Sequence, residues 1–298
     1  MGLQLPKRAR RIGTWAAVSA SLLLLGACSN VDQDAVTWSG MLVDPASDRG
    51  ALIAELWEGA WIAALLVGAV VWGLIGYASF VFRRRRDDEV PVQTRYNLPI
   101  EILYTVAPVI MVLVLFFFTV ETQNKVLASA SENGDADHVV EVVGQKWSWT
   151  FNYVDEEAVD GDTVYTVGTP ADIPTLVLPV DESVQFNLSS PDVIHSFWVP
   201  SFVFKMDVVP GRDNSFSLTP TREGTFAGKC AELCGVYHSR MLFEVEVVSA
   251  DEYATYLQGL KDQGNVGLVL GNADSRQQAG LEDQVQDDDT IDENGESQ

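Results

Sequence analysis

Two cysteines four positions apart, a histidine four further on and a methionine three beyond that crowd into the run Cys230–Met241, which reads CAELCGVYHSRM. Side chains alternate between faces along an extended strand, so donors at these irregular spacings converge most easily from a curled loop. Thiolate and thioether sulfur with imidazole nitrogen is a copper-type ligand set, whereas magnesium or calcium would demand oxygen. In an exported domain, two nearby cysteines would by default form a disulfide. The company of His238 and Met241 weighs against that, as does the scarcity of histidine: the chain has three, and His195 lies upstream in SSPDVIHSFWVP. A closed zinc site from Cys230, Cys234, His195 and His238 is the inorganic rival, because two thiolates and two imidazoles suit tetrahedral zinc. Met241 favours copper, which recruits thioethers more readily.

The elements that position such a loop divide the chain in two. Of its 298 residues 47% are hydrophobic, but the long apolar runs fall before Val120 and most acidic residues after it. The net charge of -23 excludes a general nucleic-acid binder, which needs a basic footprint. A basic stretch from Lys7 to Arg11, an apolar run from Trp15 and the sequence Leu25-Gly26-Ala27-Cys28 read as a lipoprotein-type signal over 1–27, with Cys28 as the acylated mature N-terminus. The plainer alternative is an uncleaved anchor helix. Residues 28–54 are then an extracytoplasmic segment. The uncharged run Gly59–Phe82 can span a bilayer, and Arg83–Arg86 place its far end in the cytoplasm. Ile100–Val120 returns the chain outward, which makes 55–125 a transmembrane helical hairpin with everything after Glu121 outside. Glu101 marks the cytoplasmic end of the second span, either snorkelling to water or belonging to a proton path.

From His138 the pattern changes to short β-type runs: Val139–Val143, Trp147–Tyr153, Thr163–Val167, Thr175–Pro179, Ser183–Leu188, His195–Val199, Asn214–Leu218, Gly224–Cys230 and Met241–Val248. Strands spaced by about ten residues indicate one sandwich or barrel over 138–250. A short helix and linker follow over 251–271. The segment 272–298 is too polar and acidic to bury a core, and the reading assigns it disorder and no function.

The string CAELCGVYHSRM, preceded by VIHSFWVPSFVFKMDVVPGR and GQKWSW, resembles subunit II of haem-copper cytochrome c oxidase over about residues 55–250. The resemblance implies two transmembrane helices in a hairpin and an all-β cupredoxin-like Greek-key sandwich carrying the binuclear copper centre CuA. Cys230 and Cys234 would bridge both coppers, His195 and His238 would each bind one, Met241 would be a weak ligand and Glu232 would bind through its backbone carbonyl. The Glu232 carboxylate resembles the family residue that reaches a magnesium ion shared with subunit I. Trp147 matches an exposed aromatic through which electrons arrive from a c-type cytochrome, although a core tryptophan is the alternative. Ser148 departs from the aromatic that follows it in mitochondrial forms. Asp155, Glu156 and Glu157 fall where the family attracts its donor, or form a solvated loop. Glu101 resembles the glutamate at the mouth of a proton path into subunit I. The lipobox and the long acidic segment 155–174 look like the actinobacterial variety, whose donor is a membrane-bound dihaem cytochrome c of a bc complex. No Cys-x-x-Cys-His motif occurs, so haem would reside in partner subunits. Two rivals are a copper-free quinol oxidase subunit II and a membrane-anchored copper delivery protein.

Overall fold

A computed structural model describes residues 42–86, 90, 93–128 and 136–271. The expected signal segment 1–27, Cys28 and the acidic segment 272–298 lie outside the described residues. The chain divides into two compact units at residue 45, and nearly all described residues belong to the second.

Helix α1 runs Asp48–Val81. Its start is set by Ser47, whose Oγ accepts the Gly50 N–H at 3.0 Å, and by Asp48 in the first turn, where a carboxylate complements the helix dipole. The helix therefore begins well before the apolar run, and residues 48–54 form its first turns instead of belonging to a separate N-terminal segment. Helix α2 runs Leu98–Val126. Its N-terminus is closed reciprocally: Asn97 Oδ1 accepts the Ile100 N–H, and Glu101 Oε1 accepts the Asn97 N–H at 2.9 Å. With 34 and 29 residues, both helices are long and apolar enough to cross a membrane.

Ten strands follow: β1 His138–Gln145, β2 Ser148–Glu156, β3 Asp162–Val167, β4 Thr175–Pro179, β5 Val184–Ser189, β6 His195–Val199, β7 Phe204–Val208, β8 Asn214–Leu218, β9 Gly224–Cys230 and β10 Leu242–Val248. They form two five-stranded sheets, ordered β3-β2-β1-β5-β8 and β4-β10-β9-β6-β7. The inward side chains, led by Trp149, Phe151, Tyr153, Phe186, Phe197, Phe216 and Phe243, make one core of interlocking rings. The sequence reading missed β7. Its apolar positions, Phe204, Met206 and Val208, do alternate. The run is short, lies between Pro200 and Pro210, and is reversed onto β6 by a turn over Pro200–Phe202 with Val203 at φ 54.

Helix α3, Ala250–Asp262, opens with a capping box between Ser249 and Glu252 and buries Tyr253, Leu257 and Leu260 against the sandwich. Residues 265–271 are no free linker. They lie along the outer face of β3 and β2, where Thr163 O accepts the Gly267 N–H at 2.8 Å and the Asn152 amide exchanges two hydrogen bonds with the Val269 backbone. This strap is one reason β2 is buried on both faces.

At the end of the domain where α3 begins, α1 is fastened to the sandwich. Ser201 O accepts the Ala46 N–H at 2.7 Å, Thr219 O accepts the Asp48 N–H at 3.0 Å, and Asp48 Oδ1 accepts the Thr219 N–H at 2.8 Å.

Candidate metal centre

The loop 231–241 joins β9 to β10, and both of its ends are pinned. Met241 O accepts the Cys230 N–H at 2.9 Å, and Ser196 O accepts the Ala231 N–H at 3.0 Å. Between these points the chain curls, with Gly235 at φ 127, a region that favours glycine. A Cβ there would also lie 3.1 Å from the Trp147 ring.

This path gathers the donors. The two sulfurs, Cys230 Sγ and Cys234 Sγ, lie 3.8 Å apart, both cysteines are free, and that separation is nearly twice the roughly 2 Å of a disulfide. His195 Nδ1 is 3.9 Å from Cys230 Sγ, and Glu232 O is 3.2 Å from the same sulfur. His238 Nδ1 is 3.5 Å and Met241 Sδ 3.7 Å from Cys234 Sγ. Among the described residues, the group whose ligand atoms all lie within 4.8 Å of one another is His195, Cys230 and Cys234, and each of these is buried. The arrangement is two-ended: a sulfur pair in the middle, one imidazole with a carbonyl at one end, the other imidazole with a thioether at the opposite end.

The donor groups perturb one another's titration in opposite directions. Hydrogen bonding from Cys234, opposed by burial and helped by His195, holds the Cys230 thiol well below its usual range, and the same contact pushes Cys234 up. Burial pulls the His195 imidazole down, but its hydrogen bond to Asp192 and the neighbouring Cys230 raise it overall. Asp192 Oδ1 accepts the His195 Nε2–H at 2.8 Å, which leaves Nδ1 facing the sulfurs. Burial works against the Asp192 carboxylate. The hydrogen bonds from His195, the Lys146 N–H and the Val193 N–H outweigh it and lower the group to about 2.

Trp147 reaches the loop from the β1–β2 turn. Its Nε1–H donates to Cys234 O at 3.3 Å, and its ring packs edge-on against Tyr237 with centroids 5.1 Å apart. It is only 9% exposed, so the expectation of an exposed aromatic is corrected: Gly235 and Tyr237 cover most of the ring. Glu156 is corrected too. It is 4% exposed and accepts from Tyr253 Oη at 2.8 Å beside His138, which removes it from any docking surface. Asp155 and Glu157 are exposed, as is Glu232. Glu101 lies far away in the chain, at the start of α2. Sequence reasoning missed Asp192 and Trp149, whose ring stands edge-on to His195. A carboxylate three residues before a candidate histidine was the available signal for Asp192; nothing local marks Trp149.

Fold and site together define a membrane-anchored β-sandwich with a loop built from sulfur and imidazole donors. Residues 138–248 match the family described as cytochrome c oxidase subunit II, periplasmic domain. The chain is 44% identical to the probable cytochrome c oxidase subunit 2 of Streptomyces avermitilis, over 89% of this chain and 92% of that one. It is 35% identical to cytochrome c oxidase subunit 2 of Mycobacterium tuberculosis, over 84% of this chain and 81% of that one. The crystal structure of the periplasmic domain of subunit II of cytochrome oxidase from Bradyrhizobium japonicum is similar at 28% identity and a TM-score of 0.38, covering 43% of this chain and 96% of that one. The chain belongs to the cytochrome c oxidase subunit II family.

Proposed function

We propose that this chain is the electron-accepting subunit of a terminal oxidase. It takes single electrons from a c-type cytochrome at a binuclear copper centre and passes them to haem in subunit I, where oxygen is reduced to water with proton translocation. The observation that carries the reading is the two-ended donor set. A single tetrahedral zinc needs all four donors around one point, with metal–ligand distances of about 2.0–2.3 Å. Here His195 serves Cys230 and His238 serves Cys234, an arrangement that suits two soft metal ions sharing a sulfur pair.

His195, Cys230, Cys234, His238 and Met241 would hold the metal by side chains and Glu232 by its carbonyl. When bound, copper would supply a one-electron couple. The chain's own part is to keep the donors still and dry: the pinned loop ends, the buried thioether of Met241 and the Asp192–His195 hydrogen bond all limit rearrangement on electron transfer. Trp147, bonded to Cys234 O and packed against Tyr237, would carry electrons into the site. The exposed Glu232 carboxylate would complete a magnesium site with subunit I, and Glu101 would admit protons at the start of α2. The copper domain would lie on the extracytoplasmic side of a bacterial cell membrane, a reading supported by Arg83–Arg86 at the end of α1, and Cys28 would add a lipid anchor.

The test is Cys234→Ser in the purified oxidase complex. The expected result is loss of a mixed-valence paramagnetic signal spread over two copper nuclei, with cytochrome oxidation falling to background and the β-sandwich still folded. Full turnover in that variant, or zinc in place of copper in the parent complex, would refute the reading.

A further inference from the structure

The turn that carries Trp147 and the loop that orients His195 meet at one bond. Lys146, in the β1–β2 turn, donates its N–H to Asp192 Oδ2 at 2.7 Å, and Asp192 Oδ1 accepts the His195 Nε2–H at 2.8 Å. The Asp192 loop is itself tight: Ser190 Oγ lies 2.6 Å from Val193 O and 3.3 Å from Asp192 Oδ1. A displacement of the turn, or of Pro191, therefore reaches the imidazole through short bonds.

The strap 265–271 touches both. Its start is fixed by α3, whose Lys261 Nζ donates to Val159 O and Asp160 Oδ2, each at 2.9 Å. It then pairs with β3, where Asn265 O accepts the Tyr165 N–H at 3.1 Å and Thr163 O accepts the Gly267 N–H at 2.8 Å. From there it crosses the outer face of β2, where Ser148, Thr150 and Asn152 alternate and are all buried. Asn152 Oδ1 accepts the Val269 N–H at 2.7 Å, and its Nδ2 donates to Val269 O at 3.0 Å and to Glu141 O at 3.2 Å. Beyond that clamp, Leu270 and Gly271 make no hydrogen bond to the described residues. Gly271 instead rests by contact on the turn and on the Asp192 loop: a Cβ there would collide with Gln145 Oε1 and lie 3.2 Å from Pro191 Cγ, on a backbone at φ 75. Gln145 precedes Lys146, and Pro191 precedes Asp192.

Little of this serves the core. Val266, Leu268 and Leu270 point outward at 46%, 53% and 52% exposure, so the strap withdraws little apolar side-chain area of its own from water. Its directional bonds lead to one place, the junction of the Trp147 turn and the Asp192 loop.

We propose that the strap 265–271, with the Asn152 that clamps it, is a positioning element for the metal centre: seated against Gln145 and Pro191, it keeps the Lys146–Asp192–His195 bonds in register. The inference rests on the metal centre proposed above. Loosening the clamp frees the turn and the Asp192 loop to move apart, and the imidazole then loses the partner that aims Nδ1 at the sulfurs.

The test uses the purified oxidase complex with Asn152→Ala, which removes the clamp. A second variant, Gly267→Pro, removes the N–H given to Thr163 at a backbone of φ 112 that proline cannot adopt, and lies outside the sandwich core. Leu268→Ser, which trims an outward side chain and breaks no hydrogen bond, is the control. Amide hydrogen exchange is followed peptide by peptide, and copper retained per chain is read over a chelator series. Asn152→Ala and Gly267→Pro should each speed exchange at 145–148 and 190–195 by at least about tenfold, while β5 and β10 exchange as in the parent. Each should lower the chelator midpoint by about 3- to 10-fold, less than direct loss of the imidazole's outer partner. Leu268→Ser should do neither. Added to Asp192→Asn, the two strap variants should cost no further copper, because the path they act through is already broken. Unchanged exchange at 145–148 and 190–195 would overturn the proposal. So would exchange rising equally in β5 and β10, which would make the strap a general stabiliser, or a copper loss that adds in full to that of Asp192→Asn. A parent complex without copper would sink the electron-accepting function instead, and the exchange measurement would still decide whether the strap holds the Asp192 loop.

Discussion

Asp192→Asn perturbs the metal centre without touching a donor atom. The carboxylate is 8% exposed and accepts four hydrogen bonds: from His195 Nε2 at 2.8 Å, from the Lys146 N–H at 2.7 Å, from the Val193 N–H at 2.6 Å and from the Ser190 hydroxyl at 3.3 Å. Asparagine keeps the shape but offers one oxygen and presents an NH2 group to the other side, so a donor faces a donor whichever way the amide is turned. If the oxygen stays on His195 and Val193, the Lys146 N–H loses its acceptor. If it turns to Lys146, the imidazole loses its anchor. A hydrogen bond to a charged group contributes about 1.5–3 kcal/mol, and loss of such an outer partner lowers metal affinity by about 10- to 100-fold. The assay is copper retained per chain in the purified complex over a series of chelator concentrations, with the circular dichroism of the sandwich followed in parallel. The chelator midpoint should fall by about 10- to 100-fold while the β signal persists. A midpoint within about twofold of the parent would show that the Asp192–His195 contact does not organise the site, since the reasoning requires at least tenfold.

Two further perturbations probe the frame. Gly235→Ala places a Cβ 3.1 Å from the Trp147 ring on a backbone at φ 127, and should lower sandwich stability by about 1–3 kcal/mol and slow cytochrome oxidation; an unchanged melting temperature would contradict the packing described. At the far end of β1, His138 contacts Glu156 at 3.0 Å and Glu182 at 2.6 Å, beside Tyr253. Burial pulls its pKa down, but the two carboxylates outweigh burial and the folded value is raised. The stabilisation is therefore fully present below about pH 6.5 and is lost as pH rises through the raised folded value. The melting temperature of the parent should fall between about pH 6 and pH 9 by more than that of His138→Gln, and parallel curves would exclude the linkage.

The metal loop was legible because four of its donors are contiguous in sequence, and His195 because only three histidines exist. The strands were legible wherever alternation was long enough, as in β5 and β10, and β7 was lost because five residues between two prolines carry too little pattern. What the sequence could not show were burials decided by distant chain. Glu156 looks like one of three solvated acids until Tyr253, 97 residues later, closes over it. Trp147 looks exposed by family resemblance until the turn at Gly235 covers its ring. Residues 265–271 read as a linker because their role is to hydrogen-bond to an asparagine 117 residues upstream, a pairing with no local signature.

Strand β6 links the membrane helix to the metal loop. Its first residue is His195, and its last, Val199, leads into the Pro200–Phe202 turn, where Ser201 O and Phe202 O accept hydrogen bonds from Ala46 and Ser47 at the start of α1. The two ends of this strand, His195 beside the sulfurs and Val199 leading to the turn that holds the helix cap, thus sit about 13 Å apart at about 3.3 Å per residue. The strand is paired on both sides, with β7 and β9, so a one-residue slip would turn Phe197 out of the core and His195 away from the sulfurs. The position of the imidazole relative to the membrane helix is therefore fixed by the fold. A centre that hands electrons to a neighbouring subunit, as proposed above, would gain a constant distance from that strut, and the loop would have only to close over it.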